Sequence, residues 1–157
     1  MEGFGEFYRF YREKLFSYLM RMTGDYPFSC DILQESFTRI LENYGPESRT
    51  PSLLFKIARN AIFDEARKRK RIESLNSNSE EATVDAERHI IIRDSYRRVL
   101  AAMQHLEQSD RDILAMVVST DFSYRQVAAL AGISEANVKV KIHRARTKLK
   151  EIIQGDT

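Results

Sequence analysis

The sequence contains few of the residues that build covalent cross-links or metal centres. Its 157 residues include a single cysteine, Cys30, and three histidines that lie far apart in the chain. A disulfide framework or a thiol-rich zinc site cannot be built from this set, and we expect neither a metal nor another cofactor. Only three prolines and six glycines are present, and this scarcity of helix-breaking residues favours helix throughout.

Long apolar segments are also missing. The first residues mix aromatic and charged side chains, whereas a signal peptide would place a basic segment before an apolar one. No apolar run approaches the ~20 residues that a membrane-spanning helix requires. With 43% hydrophobic and 31% charged residues, the composition is that of a globular protein. We therefore expect a cytoplasmic protein that does not insert into a membrane.

The net charge is small, but positive and negative residues are concentrated in different segments. The net charge is only +2, yet residues 55–72 carry +5, residues 73–87 carry −5 and residues 134–151 carry +4. Two concentrated basic segments predict contact with nucleic acid. The polar acidic segment between them has no apolar periodicity and predicts a flexible linker. An alternative is that this segment folds back onto a basic surface when DNA is absent.

The run from Ser123 to Lys150 has the pattern of a helix-turn-helix. Ser123 is placed to cap a short helix, Gly132 falls at the sharp turn, and Ser134 is placed to cap a second helix. Apolar residues then recur every three or four positions from Val138 onward, so this helix can dock on its partner and present its other faces to a DNA major groove. Those other faces carry Lys139, Lys141, His143, Arg144, Arg146, Lys148 and Lys150.

Helical periodicity continues through the rest of the chain. The first helix ends at Gly24, a second begins near Ser29 or Asp31, and a third runs from about Ser52 into the basic cluster at 67–71. The second helix is expected to turn Leu33, Phe37, Ile40, Leu41 and Tyr44 inward. Beyond residue 90, one helix includes Tyr96 and Met103, and Ser109 or Asp110 is placed to cap the next.

The sequence thus predicts an all-α protein of two small helical domains, at 1–72 and 90–157, joined by a flexible acidic linker at 73–89. A 157-residue chain is long enough for one ordinary domain or two small ones. The second domain is short, and a core of that size is only marginally stable alone. We expect it to be stabilised by packing against the first domain or against a partner protein.

Three segments in this order and spacing resemble the bacterial sigma factors of RNA polymerase, specifically the compact extracytoplasmic-function group. They are CDILQESFTRILEN, LLFKIARNAIFDEARKRKR and the helix-turn-helix with KVKIHRARTKL. The resemblance covers nearly the whole chain. It implies a region 2 domain at 1–72 that binds the polymerase clamp and melts the −10 element, and a region 4 domain at 90–157 that reads the −35 element. It implies a binding and melting factor without enzymatic chemistry of its own.

The resemblance also assigns roles to individual residues. It implies that the polymerase clamp is contacted by Asp31, Gln34 and Glu35. It implies that the −10 element is contacted by Tyr44, Arg59, Asn60, Asp64, Arg67, Lys68, Arg69 and Arg71. It implies that the −35 element is contacted by Ser134, Asn137, Lys139, Val140, Lys141, His143, Arg144, Arg146 and Lys148. The implied partners are core RNA polymerase, promoter DNA and an anti-sigma factor, with no small-molecule substrate.

One departure from the family pattern concerns an aromatic position. Many relatives have Trp just before the equivalent of Ile57, whereas this chain has Leu53, Leu54 and Phe55 there and contains no Trp. Phe55 either takes the place of that aromatic residue in melting or is a core residue.

Two other classes of protein would account for parts of the sequence. A simple DNA-binding repressor or activator would explain the helix-turn-helix but would leave the basic segment at 67–71 without a role. A nucleic-acid enzyme could be imagined with Asp31, Glu35 and Asp64 as metal ligands. The sequence, however, has no cluster of carboxylates with an accompanying histidine and no phosphate-binding glycine loop. The sigma-factor reading is therefore favoured.

Overall fold

The computed structural model describes residues 2–75 and 94–155. Its regular elements are α1 (Glu2–Thr23), α2 (Tyr26–Asn43), a 3₁₀ turn (Pro46–Ser48), α3 (Pro51–Leu75), α4 (Asp94–Met103), α5 (Gln108–Ser119), α6 (Tyr124–Ala131) and α7 (Glu135–Gly155). All regular structure within these ranges is helical, which confirms the all-α prediction. We call α1–α3 the first lobe and α4–α7 the second lobe.

The first lobe is a three-helix unit with an aromatic cluster at one end. The ring of Phe37 on α2 lies edge-on to Phe4, Phe7 and Tyr8 of α1, with ring centroids 6.3, 6.0 and 4.8 Å away. Such edge-to-face pairs add to the stabilisation that burial provides. The aromatic residues at the start of the chain therefore pack against the core.

The start of α2 differs from the prediction. The helix begins at Tyr26, because the Asp25 side chain accepts a hydrogen bond from the Phe28 backbone N–H at 3.0 Å and Pro27 occupies the first turn. The predicted start near Ser29 or Asp31 was therefore wrong by about one turn. Leu41 and Tyr44 at the other end of α2 are exposed, contrary to the prediction that they face inward.

The helix-turn-helix of the second lobe forms as the sequence predicted. Ser123 caps α6 through a capping box with Gln126, and Gly132 ends α6 with a φ of 70°. The Ser134 hydroxyl accepts a hydrogen bond from the Asn137 backbone N–H at 3.0 Å and caps α7. These three predictions are confirmed, because cap and turn residues act on the backbone next to them.

The start of α5 was predicted incorrectly. This helix begins at Gln108, and its N-cap is Glu107, which makes no side-chain capping bond. Asp110 is not a cap, since its carboxylate accepts hydrogen bonds from Arg144 of α7.

The predicted linker at 73–89 lies mostly outside the described residues. Its first three residues belong to α3, which continues to Leu75. Residues 76–89, together with residues 90–93 at the predicted start of the second domain, are outside the described ranges. The domain boundaries therefore stay a prediction.

The two lobes pack against each other and share one hydrophobic core. Helix α1 lies on α4 and α5, and α3 lies on α6. The Phe55 ring of α3 is fully buried between Tyr18 of α1 and Phe122 of the second lobe, with centroids 5.6 and 5.3 Å away. Phe55 is therefore a core residue. The shared core stabilises the small second lobe, as expected from its size.

The end of α1 also depends on the second lobe. The last carbonyl groups of a helix have no partner within it. Here Gln104 donates to the carbonyl of Arg21 at 3.1 Å, and Arg111 donates to the carbonyl of Met22 at 2.8 Å. Side chains of the second lobe thus satisfy backbone groups that would otherwise be left unpaired.

No helix in the described ranges is long and apolar enough to cross a lipid bilayer.

Candidate nucleic-acid and polymerase interfaces

Helix α7 presents a broad exposed basic surface next to the turn. The buried side of the helix is formed by Val138, Ile142 and Ala145, which pack into the lobe. This packing holds α7 firmly and leaves its remaining faces open to solvent. Of the residues implied for the −35 element, the exposed ones are Ser134, Asn137, Lys139, Val140, His143, Arg144, Arg146 and Lys148.

Two of the cations on α7 are held by Asp110 of α5. The Nε and Nη2 atoms of Arg144 each donate to the Asp110 carboxylate at 2.9 Å. The Lys141 ammonium lies 3.9 Å from the same carboxylate, and its side chain is only 13% exposed. The hydrogen bonds to Asp110, with the negative charge of that carboxylate, raise the pKa of Arg144. Lys141 therefore lies against the protein, whereas Arg144 remains half exposed.

A second basic surface lies along the C-terminal half of α3. Of the residues implied for the −10 element, this half exposes Asp64, Arg67, Lys68, Arg69 and Arg71, and Asn60 is exposed in the first half of the helix. Arg67 pairs with Asp64 one turn earlier, and the Arg69 guanidinium lies over the Phe28 ring at 4.6 Å. Lys68 and Arg71 form no ion pair within the described ranges. Tyr44, implied for the same DNA element, is exposed after the end of α2.

Arg59 of α3 is engaged by the second lobe. Its Nε donates to the Asp112 carboxylate of α5 at 2.8 Å, and the Tyr18 hydroxyl donates to the other oxygen at 2.6 Å. The Asp112 side chain is only 2% exposed. Burial raises the pKa of Asp112, partly opposed by the charge of Arg59. Burial, together with the Asp112 charge, raises the pKa of Tyr18.

The residues implied for polymerase binding share one exposed face of α2. Asp31, Gln34 and Glu35 lie at helical spacings of three and four, so they project to the same side. Glu35 accepts a hydrogen bond from Arg39 at 2.6 Å, one turn further along. Asp31, Glu35 and Asp64 do not form a cluster of metal ligands, and no such cluster occurs elsewhere in the described part of the chain.

Sequence reasoning missed Asp110, Asp112 and Tyr18. Asp110 lies 34 residues before its partner Arg144. Asp112 lies 53 residues after Arg59 and 94 residues after Tyr18. An acid near the start of a helix is ordinarily a capping residue or a dipole partner. The signal that could have found Asp112 is its spacing, since it lies three and four residues before Ala115 and Met116, which are buried on α5.

A helix-turn-helix with a cationic second helix, joined to a lobe with its own basic helix, defines a two-lobed DNA-binding protein. Comparison with known proteins gives its family. Residues 7–72 match the family model for Sigma-70 region 2, and residues 96–149 match that for Sigma-70, region 4. The chain is 31% identical over 159 residues to the ECF RNA polymerase sigma factor SigM of Bacillus subtilis, covering 94% of this chain and 93% of SigM.

A further relative is the ECF RNA polymerase sigma factor EcfG of Rhodopseudomonas palustris. It is 29% identical over 143 residues, which cover 89% of this chain and 79% of EcfG. The chain therefore belongs to the sigma-70 family and to its extracytoplasmic-function (ECF) group. As a sigma factor, it acts with RNA polymerase in promoter-directed initiation of transcription.

Solved structures share the fold. The sigma factor RpoE of Bartonella quintana, in complex with the anti-sigma factor NepR, matches with a TM-score of 0.82 over 100% of both chains at 19% identity. CnrH, in complex with the cytosolic domain of CnrY, matches with a TM-score of 0.71 at 20% identity, covering 98% of this chain and 89% of CnrH.

Proposed function

We propose that the two lobes divide promoter recognition between them, with the first lobe on polymerase and the −10 element and the second on the −35 element. The observation that carries this proposal is that each lobe displays its own exposed basic helix surface, on α3 and on α7. A protein that bound DNA through one surface alone would not need a second basic helix surface. The protein would act in the cytoplasm by binding alone, without catalytic chemistry of its own.

The acidic face of α2 is proposed as the polymerase contact. Asp31 and Glu35 are exposed carboxylates on one side of the helix, with Gln34 between them. Acids grouped on one face complement a basic partner and steer its approach. Arg39 pairs with Glu35, and Asp31 forms no ion pair within the described residues. The face thus retains negative charge to present to polymerase.

The exposed end of α3 is proposed to hold the opened −10 strand. Extracting a base from the stack costs a few kcal/mol, and such sites combine cations along the backbone with base contacts. Lys68, Arg71 and the paired Arg67 and Arg69 supply the cations, and Asn60 offers polar base contacts. Tyr44, which is exposed after the end of α2, is proposed to stack on a base.

The exposed face of α7 is proposed to enter the major groove at the −35 element. Lys139, Asn137 and Val140 lie in its first two turns, next to the Ser134 cap. Lysine and arginine donate to guanine, asparagine pairs with adenine, and an apolar side chain contacts the thymine methyl group. Arg146 and Lys148 lie further along the helix and are proposed to bind phosphates. His143 is exposed between Val140 and Arg146.

An anti-sigma factor is proposed as a further partner. The solved structures of RpoE and CnrH are complexes, with the anti-sigma factor NepR and with the cytosolic domain of CnrY. The closed packing of the two lobes in this chain supports the proposal, because it already occupies Arg59 with Asp112. A protein that favoured this closed arrangement would keep Arg59 from promoter DNA.

The test is in vitro transcription by bacterial core polymerase, with and without this protein, on a library of promoter fragments. The expected result is a set of protein-dependent transcripts whose promoters share paired −35 and −10 motifs. Duplex DNA binding without polymerase binding and without transcripts would contradict the proposal and indicate a simple DNA-binding regulator.

A further inference from the structure

Asp110 is a buried acid whose partners are both on the proposed DNA-reading helix. It lies in the first turn of α5 and is only 5% exposed. Its two carboxylate oxygens accept from Nε and Nη2 of Arg144 at 2.9 Å each, and Lys141 lies 3.9 Å away. A side-on pair with two parallel bonds fixes orientation as well as distance.

The pairing leaves one edge of the Arg144 guanidinium open. Nε and Nη2 form the edge that faces Asp110, so Nη1 lies on the opposite edge, where it makes no hydrogen bond within the described residues. The Arg144 side chain is 53% exposed. An arginine held on one edge has lost much of its rotamer freedom before DNA arrives, and it therefore sacrifices less entropy on binding.

Lys141 is placed differently, although it lies on the same helix. Its side chain is 13% exposed, and its ammonium faces the same carboxylate. To reach a base, it would have to leave this position and separate from a buried acid. The neighbouring Val140 and Arg144 of α7, by contrast, are exposed.

We propose that Asp110 is a positioning residue for −35 recognition. It holds Arg144 with its Nη1 edge toward the DNA and keeps Lys141 against the protein, so that Arg144 contributes to sequence discrimination and Lys141 does not. This inference rests on the proposed function of α7 as the helix that reads the −35 element.

The test uses the full chain assembled with core polymerase and compares two duplexes, one with the selected −35 motif and one with that motif scrambled. The readout is the ratio of the two affinities. In Asp110→Asn, Arg144 loses its fixed orientation, and the ratio is expected to fall about tenfold, the discrimination of one well-oriented contact. Affinity for the scrambled duplex is expected to rise or stay level, because a negative charge has been removed.

Glu107→Gln is the matched control. Glu107 is exposed, lies one turn before Asp110 and makes no hydrogen bond to Arg144 in the described residues, although its negative charge also acts on Arg144. Glu107→Gln removes the same charge as Asp110→Asn from the same part of the lobe. The affinities for the selected and the scrambled duplex are therefore both expected to rise slightly, and their ratio should stay unchanged. Arg144→Lys keeps the charge but loses the side-on pair, and it is expected to lower the ratio as much as Asp110→Asn does. The double variant is expected to be no worse than either single one.

Three results would overturn the inference. An unchanged ratio in both Asp110→Asn and Arg144→Lys would show that the pair does not position a reading residue. A parallel fall in both affinities, with a lower unfolding temperature, would show a purely structural role. A wild-type protein that does not distinguish the two duplexes would overturn the proposed function of α7, and the inference with it.

Discussion

The Arg59 guanidinium of the first lobe donates a hydrogen bond to the Asp112 carboxylate of the second lobe at 2.8 Å. Arg59 is one of the residues that the family resemblance implies for the −10 element. In the closed arrangement described here, the second lobe therefore occupies a residue that the proposed function assigns to DNA. If Arg59 contacts promoter DNA as proposed, that contact would compete with closure of the lobes through Asp112 for the same guanidinium.

The first prediction concerns the strength of this contact. Asp112→Ala should lower the free energy of unfolding by about 3 kcal/mol, because it leaves Arg59 and the buried Tyr18 hydroxyl without their acceptor. Asp121→Ala is the control, since Asp121 pairs with Lys14 across the lobes but its side chain is 89% exposed. That change should cost about 0.5 kcal/mol or less. Urea denaturation of both variants measures the difference, and equal losses would contradict the importance of burial.

The second prediction concerns pH. Burial raises the pKa of Asp112 above its ordinary value, so the folded protein holds this proton more tightly than the unfolded chain does. The contribution of Asp112 to the free energy of unfolding should therefore fall as pH rises from about 4 through the raised pKa. Urea denaturation at several pH values in this range gives the free energy of unfolding as a function of pH. The fall with pH that Asp112 contributes should be present in the wild type and absent in Asp112→Asn.

Arg59→Met sharpens the pH experiment. The Arg59 charge lowers the pKa of Asp112 and partly opposes the effect of burial. Removing that charge should raise the pKa further, so the fall in stability should continue to higher pH than in the wild type. If the contribution of Asp112 to the free energy of unfolding rises with pH in the wild type, the ion pair with Arg59 outweighs burial.

The third prediction concerns the turn of the helix-turn-helix. Gly132 has a φ of 70°, and a Cβ placed there would meet nothing within 4 Å. Gly132→Ala should therefore cost only the backbone strain of a left-handed conformation, about 1 kcal/mol. Gly45→Ala is the control, because Gly45 has a φ of −71° and equally open surroundings. Thermal unfolding should show a lower midpoint for Gly132→Ala, with little change for Gly45→Ala.

The fourth prediction concerns the acidic face of α2. Glu35→Gln should weaken binding to core polymerase about threefold, mainly by slowing association, because an exposed charge steers the encounter. The effect should shrink as salt is added. Glu42→Gln removes an exposed acid from the last turn of the same helix and should change the rate much less. Equal effects of both changes on association kinetics would indicate a general charge effect and not a contact at Glu35.

The fifth prediction compares two lysines of α7. Lys148 is exposed, whereas Lys141 lies against Asp110. Because Lys148 is proposed to bind a phosphate, Lys148→Met should reduce the slope of log affinity against log salt concentration by about 0.9. Lys141→Met should leave this slope unchanged. Titrations of promoter duplex into the polymerase complex at several salt concentrations measure both slopes, and a reduced slope for Lys141→Met would show that this lysine reaches DNA.

Local features were predictable from the chain because they depend on neighbouring residues. Helical periodicity located the helices, and the Ser123, Gly132 and Ser134 positions of the helix-turn-helix are as predicted. The two basic surfaces could be predicted in the same way, because charge and amphipathic spacing decide what a helix exposes. The one-turn error at α2 arose where Asp25 capped the helix earlier than the apolar pattern indicated.

The pairings between helices could not be predicted in this way. Asp110 with Arg144, and Asp112 with Arg59 and Tyr18, join residues that are 34, 53 and 94 positions apart. Sequence periodicity states which face of a helix is apolar, but not which charged residue of another helix will meet it. The amino-acid pattern was therefore sufficient for the fold class, the family and the basic surfaces. Which cations on those surfaces remain available depends on long-range packing, because buried acids select their partners by proximity in the folded chain.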